Sequence, residues 1–359
     1  MQHPTISETD LFLSLTPEKV LASVEAGGLK CNPVCYPLNS FENRVYEVEL
    51  ADRTRVVAKF YRPGRWTEEQ ILEEHQFLED LAAEEIPVCT MRPFPGGGTL
   101  RRIDNIYYSL SDRRGGRAPD ELDEAAARRL GMLVGRMHNV AIRRETRHRI
   151  AITADTYIRQ DLDWLEEHDV LPRHLQDRYF DTALAIASIA DRRLAGVPVH
   201  RLHGDLHLGN ILFRDGLLRV LDFDDMVVGP AVQDLWLALP GRDAYTANLR
   251  ERFLEGYTQF REFDRATLSL IEILRGMRVI HYAAWIARRW HDPAFPLAWP
   301  HFGTPDYWDR ETQDLEEQLA VIRGEIPPDE AEARLTEESV REEEPTLTNK
   351  DYFWDWEDR

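Results

Sequence analysis

Residues 199–225 read VHRLHGDLHLGNILFRDGLLRVLDFDD. Two short apolar runs, Asn210–Phe213 and Leu217–Leu221, flank Arg214-Asp215-Gly216. An Asp-Gly pair between β-prone runs predicts a tight hairpin. Such a hairpin puts Asn210 at the start of one strand and Asp222 at the end of the other, side by side. Asp205 precedes Asn210 by five residues, far enough to curl back over the same spot. The result is an oxygen-lined set of Asp205, Asn210 and Asp222, and oxygen ligands suit Mg²⁺ better than zinc or copper.

Mg²⁺ held by two side chains completes its octahedron with waters and phosphate oxygens. Asn210 and Asp222 are the candidate ligands, which leaves Asp205 another task. In phosphoryl transfer one aspartate orients the attacking hydroxyl and accepts its proton, while an Asn and an Asp hold the ions. Asp-x4-Asn followed by Asp at the next strand end is the order of the protein-kinase catalytic and metal loops. Here the motifs are His203-Gly204-Asp205 and Asp222-Phe223-Asp224. This form resembles the aminoglycoside phosphotransferase branch of the kinase-like fold. A structural polar loop, or a zinc site through His203, Asp205 and His207, would account for fewer of these features. Hairpin and metal pair occur together, and that decides for phosphoryl transfer.

The chain has 359 residues, enough for two or three domains. It contains no run of 18 apolar residues, and MQHPTISETD is too polar for a signal or transit peptide. Three cysteines, Cys31, Cys35 and Cys89, make no disulfide framework, so a reduced, cytoplasmic protein is expected. A net charge of −20 argues against sequence-independent nucleic-acid binding. It also means that an ATP site must supply its own local cations.

Thr16-Pro17-Glu18 predicts a short helix closed by Gly27-Gly28. Strands are expected at Arg44–Leu50 and Arg55–Tyr61, after a polar turn at 37–43 that carries no glycine-rich signature. Lys59 lies within the second strand, where an ammonium needs a partner. Thr67-x-x-Gln70 predicts a capping box and a helix to about Ala83, with Ile71, Leu72, His75, Leu78 and Leu81 as its buried stripe. A strand lysine followed by a helix glutamate is the ion pair that positions ATP phosphates in kinases. Glu74 borders the stripe and is preferred; Glu73 is its rival.

Ile103–Ser111 is expected as another strand, and 112–118 as a hinge whose preceding backbone would bind adenine. A helix is expected from Pro119-Asp120 to about Ala141. Further helices are expected at about 155–168, 173–194, 243–262, 265–290 and 306–323, with a loop at 291–296. Asp234, in the first turn of a helix after Gly229, either favours the helix dipole or reaches back to hold the catalytic loop. Residues 329–359 hold twelve acids against four bases and form an acidic tail of their own.

Taken together, Asn39–Tyr46, Lys59–Pro63, Arg65–Thr67, Ile71–Phe77, Gly229–Trp236, Met277-Arg278, Arg288–Trp290 and Asp292–Pro296 resemble the bacterial stress response kinase A family over about 15–325. The resemblance implies a cytosolic serine/threonine protein kinase. It also implies that Asp205 is the proton acceptor, Asn210 and Asp222 the Mg²⁺ ligands, Asp222 an active-site acid as well, and Ser40 an ATP contact. Gly204 stands where ordinary protein kinases carry the arginine that pairs with an activation-loop phosphate. The span to Asp234 is too short for such a loop, so an enzyme built active is expected.

The expected fold is α+β and protein-kinase-like: a small antiparallel lobe with one helix (1–111), the hinge, a mainly helical catalytic lobe (119–328) and the tail. The expected function is ATP- and Mg²⁺-dependent phosphorylation of protein Ser/Thr by a monomer, binding neither nucleic acid nor membrane. The alternative is phosphorylation of a small hydroxylated metabolite or antibiotic. A catalytically dead scaffold would not need Lys59, Asp205, Asn210 and Asp222 together.

Overall fold

The computed structural model describes residues 8–38, 40–214 and 216–331. Asn39, Asp215 of the Asp-Gly turn and the acidic tail beyond Ala331, with its 352–356 aromatic cluster, lie outside the described residues. The chain forms two compact units. One comprises the chain up to Arg117, Thr146–Arg149 and Ile211–Asp224; the other comprises Ala118–Glu145, Ile150–Asn210 and the chain from Asp225 onward. The first carries an antiparallel sheet and the second is mainly helical, as expected of the α+β, kinase-like class.

The first unit opens with helices α1 (Glu8–Leu13) and α2 (Pro17–Ala26). The Thr16 side chain accepts from the Lys19 N–H and Pro17 starts the helix, as its sequence dictates. Five strands follow: β1 (Cys31–Leu38), β2 (Arg44–Leu50), β3 (Arg55–Phe60), β4 (Arg101–Ile103) and β5 (Ile106–Asp112). They lie in the order β1-β2-β3-β5-β4, every pair antiparallel. β1 carries Pro33 and Pro37, which obscure its pattern; it is an edge strand, and its register shifts between Cys31 and Cys35. The run expected as one strand over Ile103–Ser111 is instead two arms. Asp104 and Asn105 take φ of 47° and 67°, the left-handed pair of a tight hairpin turn, and Ile103 faces Ile106.

Val56, Ala58 and Phe60 point to a core shared with Val20, Val24, Val48 and Leu110. The alternation of a strand therefore turns Lys59 to the opposite face. Helix α3 (Glu68–Ala83) starts with the predicted capping box. Its buried face is Ile71, Glu74, His75, Phe77, Leu78 and Leu81. Leu72, expected inside, is 39% exposed, and Phe77 takes its place against Phe223. The 211–220 hairpin pairs Ile211 with Val220 and Arg214 with Leu217. Two backbone bonds between Arg117 and Phe213 and one from Val220 to Pro87 tie it to this unit.

In the second unit the helix expected from Pro119 begins only at Glu124, capped by Asp123, and ends at Ala141. It lies directly on the helix Ala244–Tyr257. A Cβ on Gly131 would stand 1.9 Å from the Phe253 carbonyl oxygen, and one on Gly256 2.0 Å from that of Arg128. Only glycine permits this backbone contact, which sets His138 against Tyr257. Two short strands, His200–Leu202 and Val227–Gly229, pair antiparallel and carry the 203–205 loop. The stretch 155–168 is a π-helical turn, Asp155–Arg159, running into Gln160–Glu167. Arg173–Leu194 is helical as expected. The expected 265–290 helix starts as a 3-10 segment and is α-helical over Ile271–Arg288; Pro305–Arg323 follows, and Ala294–Ala298 is a short helix where a loop is expected.

Glu272 pins this helical stack. It accepts from Arg242 at 2.6 Å and lies 3.3 Å from Arg275. Burial alone would raise its carboxyl, but Arg275 and Arg242 outweigh that and bring it down to about 2. A carboxyl with a lowered folded-state pKa stabilises the fold above its unfolded value and loses that contribution as pH falls through the folded one. Unfolding free energy should therefore drop by about 3 kcal/mol on this group's account between pH 4.5 and 2. Glu272→Gln should be less stable at neutral pH and show a flatter acid limb. Identical pH profiles for the two proteins would rule the pairing out as a source of stability.

Candidate active site

Lys59 stands on β3 between Val45 of β2 and Ser109 of β5. Its Nζ lies 3.0 Å from Asp222 Oδ1, 3.1 Å from Asp224 Oδ1 and 3.5 Å from Glu74 Oε1. Burial works against the ammonium, yet Asp222, Asp224 and Glu74 hold its pKa well above the ordinary lysine value. Glu74 is fully enclosed; burial pushes its carboxyl up to about 7, against the pull of Lys59 and Arg149. The structure sets Glu74, not Glu73, against the lysine. Glu73 accepts the N–H groups of Arg147, His148 and Arg149 at 2.7–3.1 Å. That contact positions Arg149, whose guanidinium reaches Glu74 at 3.3 Å and the Asp224 carbonyl at 2.5 Å.

Arg65 closes the cluster on Asp224. Three cations, Lys59, Arg65 and Arg149, thus meet three carboxylates, Glu74, Asp222 and Asp224. The two acids of Asp222-Phe223-Asp224 are not alike. Asp224 is 3% exposed and ion-paired to both Lys59 and Arg65, whereas the Asp222 side chain is 50% exposed. Asp222 also holds φ at 50°, a conformation costly for a residue with a Cβ. Strain of this kind concentrates at functional positions.

Ser40 belongs to the loop between β1 and β2, where its Oγ accepts the Asn43 N–H at 3.2 Å. Arg62 braces this glycine-free loop, donating to the carbonyls of Glu42 (2.9 Å) and Phe41 (3.0 Å). Asn43 Oδ1 in turn accepts the Arg62 N–H at 3.1 Å. Side-chain bracing here replaces backbone permissiveness.

In the second unit the Asp234 carboxylate, fully buried, accepts the N–H groups of His203 and Gly204, each at 3.0 Å. His138 holds its Oδ2 at 3.1 Å, and Tyr257 holds the other ring nitrogen at 2.9 Å. Asp234 therefore does hold the loop. Gly204 has φ of 87°, and a Cβ there would stand 2.1 Å from the Asp225 carbonyl oxygen. Arginine, which ordinary protein kinases carry at this point, has no room. Asp205 follows, with its N–H on His203 Nδ1 at 3.2 Å. Arg278 donates to Asp205 Oδ1 at 2.6 Å and His207 Nε2 lies 3.5 Å from Oδ2. Burial opposes the charge on Asp205, but Arg278 and then His207 hold its carboxyl far below the usual range.

Asn210 donates through Nδ2 to the Asp205 carbonyl at 2.9 Å. That bond turns the amide so that Oδ1 is left as its acceptor, the atom a hard cation takes. Among the described residues no group of three His, Cys, Asp or Glu is set to hold a metal ion. Taken separately, the side-chain oxygens of Asn210 in the second unit and of Asp222 in the first are donors of the type Mg²⁺ takes, and His203 is committed to its own loop. Sequence reasoning assigned no role to Asp224, Arg65, Arg149 or Arg278. Arg65 and Arg278 lie inside recognisable motifs, but nothing local in Arg147-His148-Arg149 signals a function.

Residues 35–271 match the model of the phosphotransferase enzyme family. Stress response kinase A of Escherichia coli is 40% identical over 315 residues, covering 87% of this chain and 95% of that protein. The chain belongs to the stress response kinase A family. A Salmonella typhimurium relative named serine/threonine protein kinase RdoA is 38% identical over 314 residues, covering 87% of this chain and 94% of its own. The solved structure of an amicoumacin kinase in complex with AMP-PNP superposes with a TM-score of 0.69 at 18% identity, covering 87% of this chain and 96% of that one. At that identity the likeness is one of fold alone. Among the described residues no helix is long and apolar enough to cross a membrane.

Lys59→Ala should lower kcat/KM for ATP by ~10²–10³-fold, the usual loss on removing one preorganised charge from a phosphoryl site. Arg65 and Arg149 remain to neutralise Asp224 and Glu74, so the unfolding midpoint should change little. Normal turnover by the variant would make the lysine structural.

Proposed function

We infer that the protein transfers the terminal phosphoryl group of ATP to serine or threonine hydroxyls of other proteins, as a cytoplasmic and monomeric stress-response kinase. The observation that carries the phosphoryl-transfer reading is Lys59, held within 3.5 Å of both Asp222 and Glu74. The name of the Salmonella relative supports the choice of acceptor. In this reading the first unit binds the nucleotide through Lys59, with Glu74 fixing the lysine and Ser40 contacting ATP from the braced loop. Asn210 and Asp222 would hold Mg²⁺, and Asp222 would also serve as an active-site acid.

Mg²⁺, when bound, neutralises charge on the transferring phosphates. Asp205 orients the acceptor hydroxyl and takes its proton late, since the transition state is loose. Arg278 keeps that carboxylate ionised and steers Oδ1, while Asp234 fixes the backbone on which Asp205 stands. Nothing here awaits an activation-loop phosphate, because Gly204 occupies the place of the arginine that would read it.

The second reading, a small hydroxylated acceptor, is favoured by the fold likeness to an amicoumacin kinase and by the net charge of −20, which suits a cationic antibiotic. Incubating the purified protein with γ-labelled ATP and a lysate of its own cells separates the two. Label on Ser/Thr of proteins is expected. Label confined to the small-molecule fraction would overturn the protein-kinase reading in favour of the second.

A further inference from the structure

The second unit carries an open cleft of about 320 Å³ that no step of the proposed reaction uses. Leu208 of the catalytic loop forms one side, and the Leu239-Pro240-Gly241 turn forms another. That turn is preformed. Arg250 donates to the carbonyls of Leu239 at 2.9 Å and Gly241 at 2.6 Å, and Arg275 donates to that of Pro240 at 2.6 Å. Leu239 and Leu249 are almost fully buried beneath it, so the floor is apolar. Tyr245, 57% exposed with its hydroxyl on the Leu122 carbonyl, offers a ring face at the side. Asp120 and Glu121, both exposed, stand at the rim.

A volume near the bottom of the ~300–1,000 Å³ range of small-molecule sites suits one side chain better than a whole antibiotic. An apolar floor under an acidic rim selects a side chain with an aliphatic stem and a cationic head, since the stem is buried while the head stays hydrated beside the carboxylates. An anionic occupant would meet the like charge of the rim. Position fixes the rest. Leu208 follows Asp205 by three residues, so their Cα atoms lie within ~11 Å. An extended peptide advances ~3.3 Å per residue, so a side chain in the cleft belongs to a residue within about four of the hydroxyl that Asp205 orients.

We propose that this cleft is a substrate subsite that receives a lysine or arginine within about four residues of the phosphorylated serine or threonine. The proposal deepens, and rests on, the protein-kinase reading. The test uses the full chain, wild type and the double variant Asp120→Lys/Glu121→Lys, with an arrayed peptide library holding one central Ser or Thr. Wild type should favour Lys or Arg at one position in that window by about tenfold. The double variant should lose the preference while Mg²⁺·ATP affinity stays unchanged. Phosphorylation with no basic preference, or a preference that survives the double variant, overturns the subsite. Loss of Mg²⁺·ATP affinity in the double variant also overturns it, in favour of a nucleotide role.

If no peptide is phosphorylated while ATP is consumed on another acceptor, the protein-kinase reading itself fails. The cleft is then judged by titrating agmatine, a butyl chain bearing guanidinium, and following the methyl resonances of Leu122, Leu208, Leu239 and Leu249. Shifts in wild type that vanish in the double variant keep a cation subsite there. No shift in wild type removes it.

Discussion

Asp205→Asn should lower turnover by ~10²–10⁴-fold while leaving Mg²⁺·ATP binding intact. The substitution keeps the shape of the side chain and removes its charge. Positioning of the acceptor hydroxyl by a general base contributes roughly 3–5 kcal/mol to the barrier reduction, and the rest comes from groups this change does not touch. Arg278 keeps an oxygen to donate to at Oδ1 and loses only its counter-charge, and both side chains are about one-fifth exposed, so the fold should tolerate it. Asp222→Asn should differ in kind. A half-exposed carboxylate beside Lys59 in the proposed role of metal ligand should, when neutralised, cost metal-dependent nucleotide binding together with turnover. Equilibrium binding of ATP with and without Mg²⁺, measured on both variants beside their turnover, separates the roles. If Asp205→Asn abolishes nucleotide binding and Asp222→Asn spares it, the two assignments are reversed.

Asp234→Ala should destabilise the protein by ~3–5 kcal/mol, the usual cost of removing one member of a buried charged network. Three partners are orphaned at once: the N–H groups of His203 and Gly204, and His138 Nε2. Each buried donor left without an acceptor costs ~1–3 kcal/mol. Turnover should fall further than stability accounts for, because Asp205 stands on the released backbone, and a displacement of ~1 Å at a reacting group can cost 10²-fold. Asp234→Asn presents one carbonyl oxygen to two N–H donors and should recover only part of either loss. Denaturant unfolding together with turnover measured well below the midpoint reads both quantities. A variant that unfolds early but turns over normally at low temperature would confine Asp234 to a structural role.

What could be read from the chain and what could not follow a physical division. The 211–220 hairpin was legible because turn chemistry is local, and so was the start of α3, where Thr67 and Gln70 bond to each other's backbone. The antiparallel small sheet and helical remainder followed from periodicity and from the family resemblance. Arm boundaries at Asp104-Asn105 were missed because Ile103 and Ile106 both fit one continuous strand. β1 was obscured by prolines that are harmless on an edge. Burial of Glu74 was underestimated because its helix packs on two sides, a property that one stripe of apolar residues does not announce. The partners around Lys59 were the least legible part. Arg149 lies 90 residues from the lysine, and its backbone N–H is held by Glu73, itself the plausible but unused candidate for the ion pair. Asp234 could be given two meanings from sequence alone; only the two N–H groups in front of it decide between them.

The braced loop between β1 and β2 has a bearing on inhibitor design. Kinase ligands often gain affinity and selectivity when a pliant glycine-rich flap folds over them. In the proposed nucleotide site the corresponding loop is braced from Arg62, just past β3, which donates to the carbonyls of Phe41 and Glu42 and through its own N–H to Asn43 Oδ1. Compounds that depend on induced closure have nothing to close, whereas rigid scaffolds cut to its fixed outline lose little entropy on docking. Selectivity against glycine-flap kinases then becomes a matter of ligand stiffness.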